Sequence, residues 1–107
     1  MFEAAVPTRS TSRPSAQELH DLALHFYALK DGLRLEMLMV LADRESTVNE
    51  LAEVLNKSQP LISWHLRRLK AANLVKIRRS GREVYCSLNR DELQRHQAAF
   101  AALIGLS

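Results

Sequence analysis

Residues 57–88 carry a helical pattern followed by an alternating pattern, together with most of the positive charge of the chain. Eight lysines and arginines fall in this stretch, against one acidic residue, Glu83. The 107-residue chain has a net charge of only +3, so the remaining residues are acidic overall. A cationic block on an otherwise acidic protein indicates a surface that binds a polyanion. Its cations are Lys57, Arg67, Arg68, Lys70, Lys76, Arg78, Arg79 and Arg82.

A helix is predicted in the first half of this stretch. Ser58 has the side chain of an N-cap, Pro60 fits the first turn, and Asn73 is a suitable stop. The predicted buried side is Ile62, Leu66 and Leu69; the opposite side is Pro60, Trp64, Arg67, Arg68 and Ala71, with Gln59 and Ser63 on a flank. An exposed tryptophan beside two arginines fits a recognition helix in a DNA major groove, with Ser58 on phosphate. A solvated cationic face with one stray aromatic residue is the alternative.

The second half of the stretch predicts a β-hairpin, because apolar and polar residues alternate on both sides of a turn signal. A two-residue turn at Ser80-Gly81 gives the pairs Ile77–Val84, Val75–Cys86, Arg78–Glu83 and Lys76–Tyr85, with the apolar residues on one side; a longer loop is the alternative. Arg79 and Arg82 then flank the tip, and a phosphate beside the tip would relieve their repulsion. An ordinary cationic turn is the alternative to phosphate binding.

Length and composition restrict the class of protein. A chain of 107 residues is expected to form one domain, and 47% hydrophobic residues provide a small core. The single cysteine excludes an internal disulfide and a zinc site built on a cysteine pair. No signal peptide is recognisable, and no apolar run approaches the roughly 20 residues of a membrane span. We therefore expect a cytoplasmic protein with no membrane partner.

Residues typical of helix N-caps mark where four further helices are predicted to begin in the rest of the chain. The predicted N-caps are Ser15, Asp31, Thr47 and Asn89, and Glu18 and Glu50 complete two capping boxes. Residues 1–15 are rich in Ser, Thr, Arg and Pro and predict a disordered tail, so the folded domain is expected to cover residues 16–107. The helix that begins after Thr47 is short, and Asn56-Lys57 is a tight turn into the cationic helix. Two helices joined in this way form a helix-turn-helix.

Burial of the other helices follows from their apolar residues. The second helix is apolar almost all round from Leu33 to Ala42, which predicts burial at the centre of the domain. Arg34 and Glu36 are its exceptions and need water or partners. In the third helix, Leu51, Ala52, Val54 and Leu55 are predicted to be buried. The first and last helices each carry an apolar stripe, and we expect them to pair with a second copy across a two-fold axis.

The order of elements and several motifs resemble the ArsR-type (ArsR/SmtB) winged-helix repressors. The similar segments are LAEVL at 51–55, SQPLISWHLRRL at 58–69, ANLV at 72–75 and GREVY at 81–85. Residues 31–35, DGLRL, also resemble the family's Asp-Pro-x-Arg-x start of its second helix. The family commonly has histidine where this sequence has Trp64.

The resemblance implies a mainly α-helical winged helix-turn-helix with a small β-hairpin, forming a homodimer through its first and last helices. It implies a transcriptional regulator, usually a repressor released by an inducer, that binds a two-fold DNA operator. The residues expected to contact DNA are Ser58, Gln59, Pro60, Ser63, Trp64, Arg67, Arg68, Arg78, Arg79 and Arg82.

The inducer of such repressors is often a metal ion, but the family's metal sites are not matched here. The third helix has no cysteine, and Arg90, Glu92 and Leu103 stand at the ligand positions of the last helix. The remaining candidate ligands are His20, His25 and His96, which would suit zinc, nickel or cobalt if they converge at the dimer interface. Packing histidines are the alternative, and a partner protein could supply the sensing instead. Cys86 is expected to be a buried apolar residue and His65 a structural one.

Two other functions compete with DNA binding. An enzyme is not expected, because no nucleophile–base pair, glycine-rich phosphate loop or paired acidic motif is present. A winged helix that binds protein is the second competitor. The arginine cluster argues against it, because protein interfaces are depleted of charge at their core.

Overall fold

The computed structural model describes residues 13–106, which form five helices and three short strands. They are α1 (Ala16–Leu29), α2 (Gly32–Asp43), β1 (Ser46–Thr47), α3 (Val48–Leu55), α4 (Gln59–Ala71), β2 (Val75–Ser80), β3 (Glu83–Leu88) and α5 (Arg90–Leu103). This order confirms the predicted fold, a winged helix-turn-helix. The predicted tail lies outside the described residues as far as residue 12, and residues 13–15 have no regular secondary structure.

The helix starts confirm the predicted caps, because each depends on residues close in sequence. Ser15 and Thr47 both form complete capping boxes, and Asp31 accepts hydrogen bonds from two backbone N–H groups of α2. Ser58 and Asn89 cap α4 and α5 in the same way. The cap of α4 fixes the first turn of the cationic helix.

The sheet contains a strand that the sequence did not predict. Its order is β1-β3-β2, all antiparallel, with Ser46 of β1 opposite Cys86 of β3. A strand of two residues is too short to show an alternating pattern, and Ser46 is fully buried although it is polar. β1 attaches the wing, which is the hairpin β2–β3, to the body of the domain.

The predicted hairpin register was wrong by two residues. Ser80 pairs with Glu83, so the turn is Gly81-Arg82, and Arg78 lies opposite Tyr85 rather than Glu83. Gly81 has φ 62°, the conformation that type II′ turns require at their first central residue and that glycine adopts without strain. A shift of two preserves the side of each residue, so Val75 and Cys86 are buried as predicted.

The core lies between α2, α3, α4 and the sheet. Its fully buried members include Met37, Leu51, Ile62, Leu69, Leu74, Val75 and Cys86. The prediction that α2 is buried all round was wrong, because Leu35 is 49% exposed and Met39 is 64% exposed. Val54 of α3, also predicted to be buried, is 59% exposed. Each of these helices meets the core through one face and leaves the other face exposed.

None of the helices within residues 13–106 combines the length and the apolarity needed to cross a bilayer.

Candidate nucleic-acid interface

The cationic helix α4 is fixed at both ends by local hydrogen bonds. At its start, the N–H of Leu61 donates to Oγ of Ser58 at 3.3 Å. At its end, Asn73 has φ 61°, and the N–H groups of Asn73 and Leu74 donate to the carbonyls of Lys70 and Leu69. This is a Schellman motif, which ends the helix abruptly and turns the chain into β2.

A tight turn joins α3 to α4. Asn56 adopts a left-handed conformation with φ 56°, and the N–H of Lys57 donates to the carbonyl of Ala52 at 2.9 Å. The predicted turn is therefore confirmed. Burial of Ile62 and Leu66 against the core then sets which side of α4 faces outward.

The outward side of α4 carries the residues predicted to lie there. Trp64 is 39% exposed, and the guanidinium carbon of Arg68 lies 4.4 Å from its ring centroid. Such a cation–π contact holds the arginine and the indole together as one surface feature. Ser63 is half-buried, whereas Ser58, Gln59, Pro60, Arg67 and Arg68 are exposed.

The structure separates the three arginines of the wing. Arg78 forms an ion pair with Glu45 at 2.9 Å and lies 4.5 Å from the centroid of the Tyr85 ring. The hydrogen bond and the charge of Glu45 raise the pKa of Arg78. Arg79 lies on the opposite side of β2, and Arg82 lies in the turn at the tip. Arg78 is thus held to the protein and belongs to a different side of the wing from Arg79.

A groove runs between α4 and the wing. Its cationic lining residues are Arg67, Lys70 and Arg79, and Ser63 also faces it. The floor is apolar, formed by Val48, Leu66, Ile77 and Val84. The structure therefore joins part of the predicted cationic surface of α4 to one side of the wing.

A buried contact behind this surface was not predicted. Nε of Arg34 donates to Nδ1 of His65 at 3.1 Å, and both side chains are buried, at 4% and 6% exposure. Burial lowers the pKa of His65, and Arg34 and Arg68 lower it further, although Asp31 acts in the opposite direction. The sequence held a signal for this pair, because a lone arginine in an apolar helix needs a partner and His65 lies beside the buried side of α4.

Two of the three candidate metal ligands meet within one chain. Nδ1 of His25 on α1 lies 2.9 Å from Nδ1 of His96 on α5, and each histidine is 3% exposed. Burial lowers the pKa of His25 and the neighbouring His96 lowers it further, against the opposing effect of Glu92. His20 is on the exposed part of α1.

Within the described part of one chain, these side chains do not form a metal centre. Oε2 of Glu92 lies 3.2 Å from Nε2 of His96, but no group of three or more His, Cys, Asp or Glu side chains in residues 13–106 could hold a metal ion. Cys86 is fully buried, and burial raises the pKa of its thiol to about 11, in agreement with the predicted apolar role.

Large apolar side chains remain exposed on α1 and at the C-terminal end of the described chain. They are Leu19, Phe26, Tyr27, Phe100, Ile104 and Leu106, each at least 38% exposed. The rings of Phe26 and Phe100 touch edge to face at a centroid distance of 4.9 Å. An apolar area of this kind is typical of a protein–protein interface.

Comparison with known proteins supports a regulatory family. The model of the family described as "Bacterial regulatory protein, arsR family" matches residues 31–76. The chain is 42% identical over 69 residues to the HTH-type transcriptional regulator KmtR of Mycobacterium tuberculosis, covering 64% of this chain and 53% of that protein. It is 39% identical over 69 residues to the transcriptional repressor SdpR of Bacillus subtilis, covering 64% of this chain and 77% of the relative.

Another relative is the cadmium resistance transcriptional regulatory protein CadC homolog of Staphylococcus aureus, which is 35% identical over 75 residues. That match covers 69% of this chain and 62% of the relative. The chain thus spans little more than half the length of some of the curated relatives that it matches.

A solved structure shares the fold over most of the chain. It is the homodimeric winged helix-turn-helix DNA-binding domain of a possible ArsR-family transcriptional regulator from Mycobacterium bovis, with a TM-score of 0.69 and 26% identity. The superposition covers 84% of this chain and 87% of that chain. With the shared fold, the family match and the identity to SdpR over most of its length, the chain belongs to the ArsR family of bacterial regulatory proteins.

Proposed function

We propose that this protein is a sequence-specific DNA-binding transcriptional repressor that binds a two-fold operator as a homodimer. The observation that carries the proposal is the continuous outward surface of Trp64, Arg67 and Arg68 on α4, beside the groove that Arg79 lines. This is the arrangement in which a recognition helix enters a major groove while a wing lies against the sugar-phosphate backbone.

We assign the contacting residues by their position. Gln59, Ser63, Trp64, Arg67 and Arg68 would face base edges, and Ser58, Pro60 and the N-terminus of α4 would lie against phosphate. Arg79 and Arg82 would contact backbone phosphates from the wing. Arg78 is the exception among the predicted contacts, because Glu45 and Tyr85 already bind its guanidinium. Its role in DNA binding is to stiffen the wing.

The second copy would cover the apolar surface of α1 and α5. Four of its large side chains are Leu19 and Phe26 on α1, with Phe100 and Ile104 at the other end of the chain. A stable dimer needs a contiguous surface of this kind, and the related domain from M. bovis is a homodimer. A dimer would also present two copies of α4 to successive major grooves, as a two-fold operator requires.

Salt dependence of binding to random duplex DNA tests the proposal. If the dimer neutralises several phosphates, log K falls against log salt with a slope of about −0.9 per phosphate contacted. Arg82→Ala should weaken binding to all sequences and make the slope shallower. Arg95→Ala is the control, because it removes one cation from α5, where Arg95 is paired with Glu92. If the affinity of the unaltered protein for random duplex DNA does not change with salt, the proposal is wrong and a winged helix that binds protein is favoured.

A metal effector is a second candidate, supported by the name of the cadmium resistance relative. The geometry within one chain does not support nickel or zinc binding by His20, His25 and His96, because only two of them converge and no third ligand from residues 13–106 joins them. Sensing by a partner protein is equally compatible with this arrangement. Titration of the purified protein with nickel, zinc and cobalt, followed by DNA binding with and without metal, tests the metal effector directly.

A further inference from the structure

The junction of α1, α2 and α4 contains a buried arginine with an unusually complete set of partners. Besides its bond to His65, Arg34 donates from Nη1 to the carbonyls of Tyr27 and Ala28, at 3.4 Å each. Those carbonyls belong to the last turn of α1, the helix that we place in the dimer interface. The guanidinium of Arg34, a residue of α2, therefore binds both α1 and α4.

This contact fixes the orientation of the His65 ring. Nδ1 accepts a hydrogen bond from a group that is always protonated, so the imidazole must be neutral and carry its proton on Nε2. Burial also favours the neutral form. A ring held at one nitrogen by a planar guanidinium has little freedom to rotate about its own bonds.

The fixed ring in turn supports the exposed surface of α4. The ring of His65 meets the ring of Trp64 edge to face, with centroids 5.0 Å apart and planes at 86°. Arg68 then stacks on Trp64, as described above. A continuous set of contacts thus leads from the end of α1 through Arg34, His65 and Trp64 to Arg68.

We propose that Arg34 and His65 are positioning residues that set the orientation of Trp64 and Arg68 and thereby determine operator selectivity. The proposal rests on the proposed DNA-binding function. Loss of this positioning should lower selectivity for the operator without lowering affinity for random DNA. Nonspecific binding depends on the number of phosphate contacts and needs no single arrangement of Trp64 and Arg68.

The best test removes both polar partners together. A single change such as Arg34→Met leaves a buried acceptor without a donor, which destabilises the fold for reasons unrelated to DNA. The double variant Arg34→Met/His65→Leu replaces the pair by apolar groups of similar size, and such replacements of buried polar pairs are often neutral for stability. Leu41→Ala, a core truncation away from the pair, is the control for lost stability alone.

The measured quantity is the ratio of dissociation constants for random duplex DNA and for a duplex selected from a random library by the unaltered protein. We expect the double variant to lower this ratio at least tenfold while the salt slope on random DNA stays unchanged. Leu41→Ala should keep the ratio within twofold. A double variant that folds and keeps the ratio within twofold overturns the proposal.

Trp64 supplies an independent readout, because it is the only tryptophan in the chain. Loss of the His65 ring and release of the Arg68 stack should change its emission maximum and lifetime in the double variant, and Leu41→Ala should leave both as they are. If the double variant fails to fold, Arg34→Lys carries the test. Lysine keeps the charge but has no planar fork to bind α1 and His65 together, so the ratio should still fall, and an unchanged ratio overturns the proposal.

Different results would contradict the DNA-binding function and the positioning role of Arg34 and His65. If the unaltered protein does not select any duplex from the library and shows no salt-dependent binding, the DNA-binding function itself is wrong. If it selects a duplex and the variants select it equally well, only the positioning role of Arg34 and His65 is wrong.

Discussion

The two surfaces that we propose for DNA binding and for dimer formation differ in what they expose and resemble each other in what lies behind them. The α4 and wing surface exposes arginines around one tryptophan, whereas the α1 and α5 surface exposes leucine, isoleucine and aromatic side chains. Behind the first lies a histidine bound to an arginine, and behind the second lie two histidines bound to each other. Beneath the polar surface the donor is always the arginine, whereas beneath the apolar surface either histidine can be the donor.

The difference indicates how each surface responds to its surroundings. A guanidinium has donors and no acceptor, so Arg34 can bond Nδ1 of His65 only while that nitrogen is free of a proton. In the His25–His96 pair, one imidazole must donate and the other accept, so the bond is lost only when the accepting nitrogen is itself protonated. We therefore expect salt to act mainly on the first surface, and acid to act on both histidine contacts.

The largest expected effect concerns the apolar surface. Leu19→Asp places a charge on α1 at a position that is 46% exposed in the single chain. A two-fold interface would bury this charge twice without a partner, so the dimer dissociation constant should rise roughly 100-fold or more. Sedimentation equilibrium measures the change.

Leu35→Asp is the matched control, because Leu35 is 49% exposed but lies on α2. It should leave the dimer intact. The reverse outcome, dissociation by Leu35→Asp and an intact dimer with Leu19→Asp, would move the interface from α1 to α2.

Acid should produce the next largest effect, on the free energy of unfolding. The pKa values of His25 and His65 are both lowered from 6.5 in the folded protein, so the unfolded chain binds protons more readily. The stability that these groups contribute is full above pH 6.5, falls as the pH drops below it, and stops falling below the lowered pKa values. The slope is at most about 1.4 kcal/mol per pH unit for each histidine.

Chemical denaturation between pH 7.5 and 5 measures this slope. His25→Asn/His96→Leu and Arg34→Met/His65→Leu each remove one of the two contacts. Each should make the dependence shallower, and an unchanged slope in both would mean that other groups cause the acid sensitivity.

The smallest expected effect distinguishes the two sides of the wing. Arg79→Ala should reduce the salt slope of the dimer on random DNA by about 1.8, because each of the two subunits loses one phosphate contact worth about 0.9. Arg78→Ala should leave that slope nearly unchanged, because Arg78 is bound to Glu45 and Tyr85. Equal reductions by the two variants would show that both sides of the wing reach DNA.

The fold was predictable from the sequence where local chemistry decides it. The N-caps, the Asn56 turn and the Asn73 stop depend on side chains within a few residues of each other, and all were predicted. The buried side of α4 followed from its spacing alone. For the proposed DNA contacts, the sequence predicted that Trp64 and Arg67 face outward, and the structure confirms their exposure.

Other features depend on contacts distant in sequence. The hairpin register depends on where the turn begins, and Gly81 is the first central residue of the turn, whereas the sequence predicts it as the second. The exposure of Leu35 depends on how many elements surround α2. The pairing of His25 with His96 joins residues 71 positions apart, and nothing in the local pattern of either helix shows that they meet in one chain rather than across a dimer.

The short strand β1 affects how fast the wing can bind a ligand and how much chain entropy is lost on binding. It pairs with β3, and the neighbouring Glu45 binds Arg78 of β2, so both strands of the wing are attached to the loop between α2 and α3. A hairpin anchored in this way approaches a ligand already in its final shape, and little chain entropy remains to be lost on association. Rigid presentation of this kind favours rapid docking on a helical polymer, since no slow ordering step has to follow the first encounter.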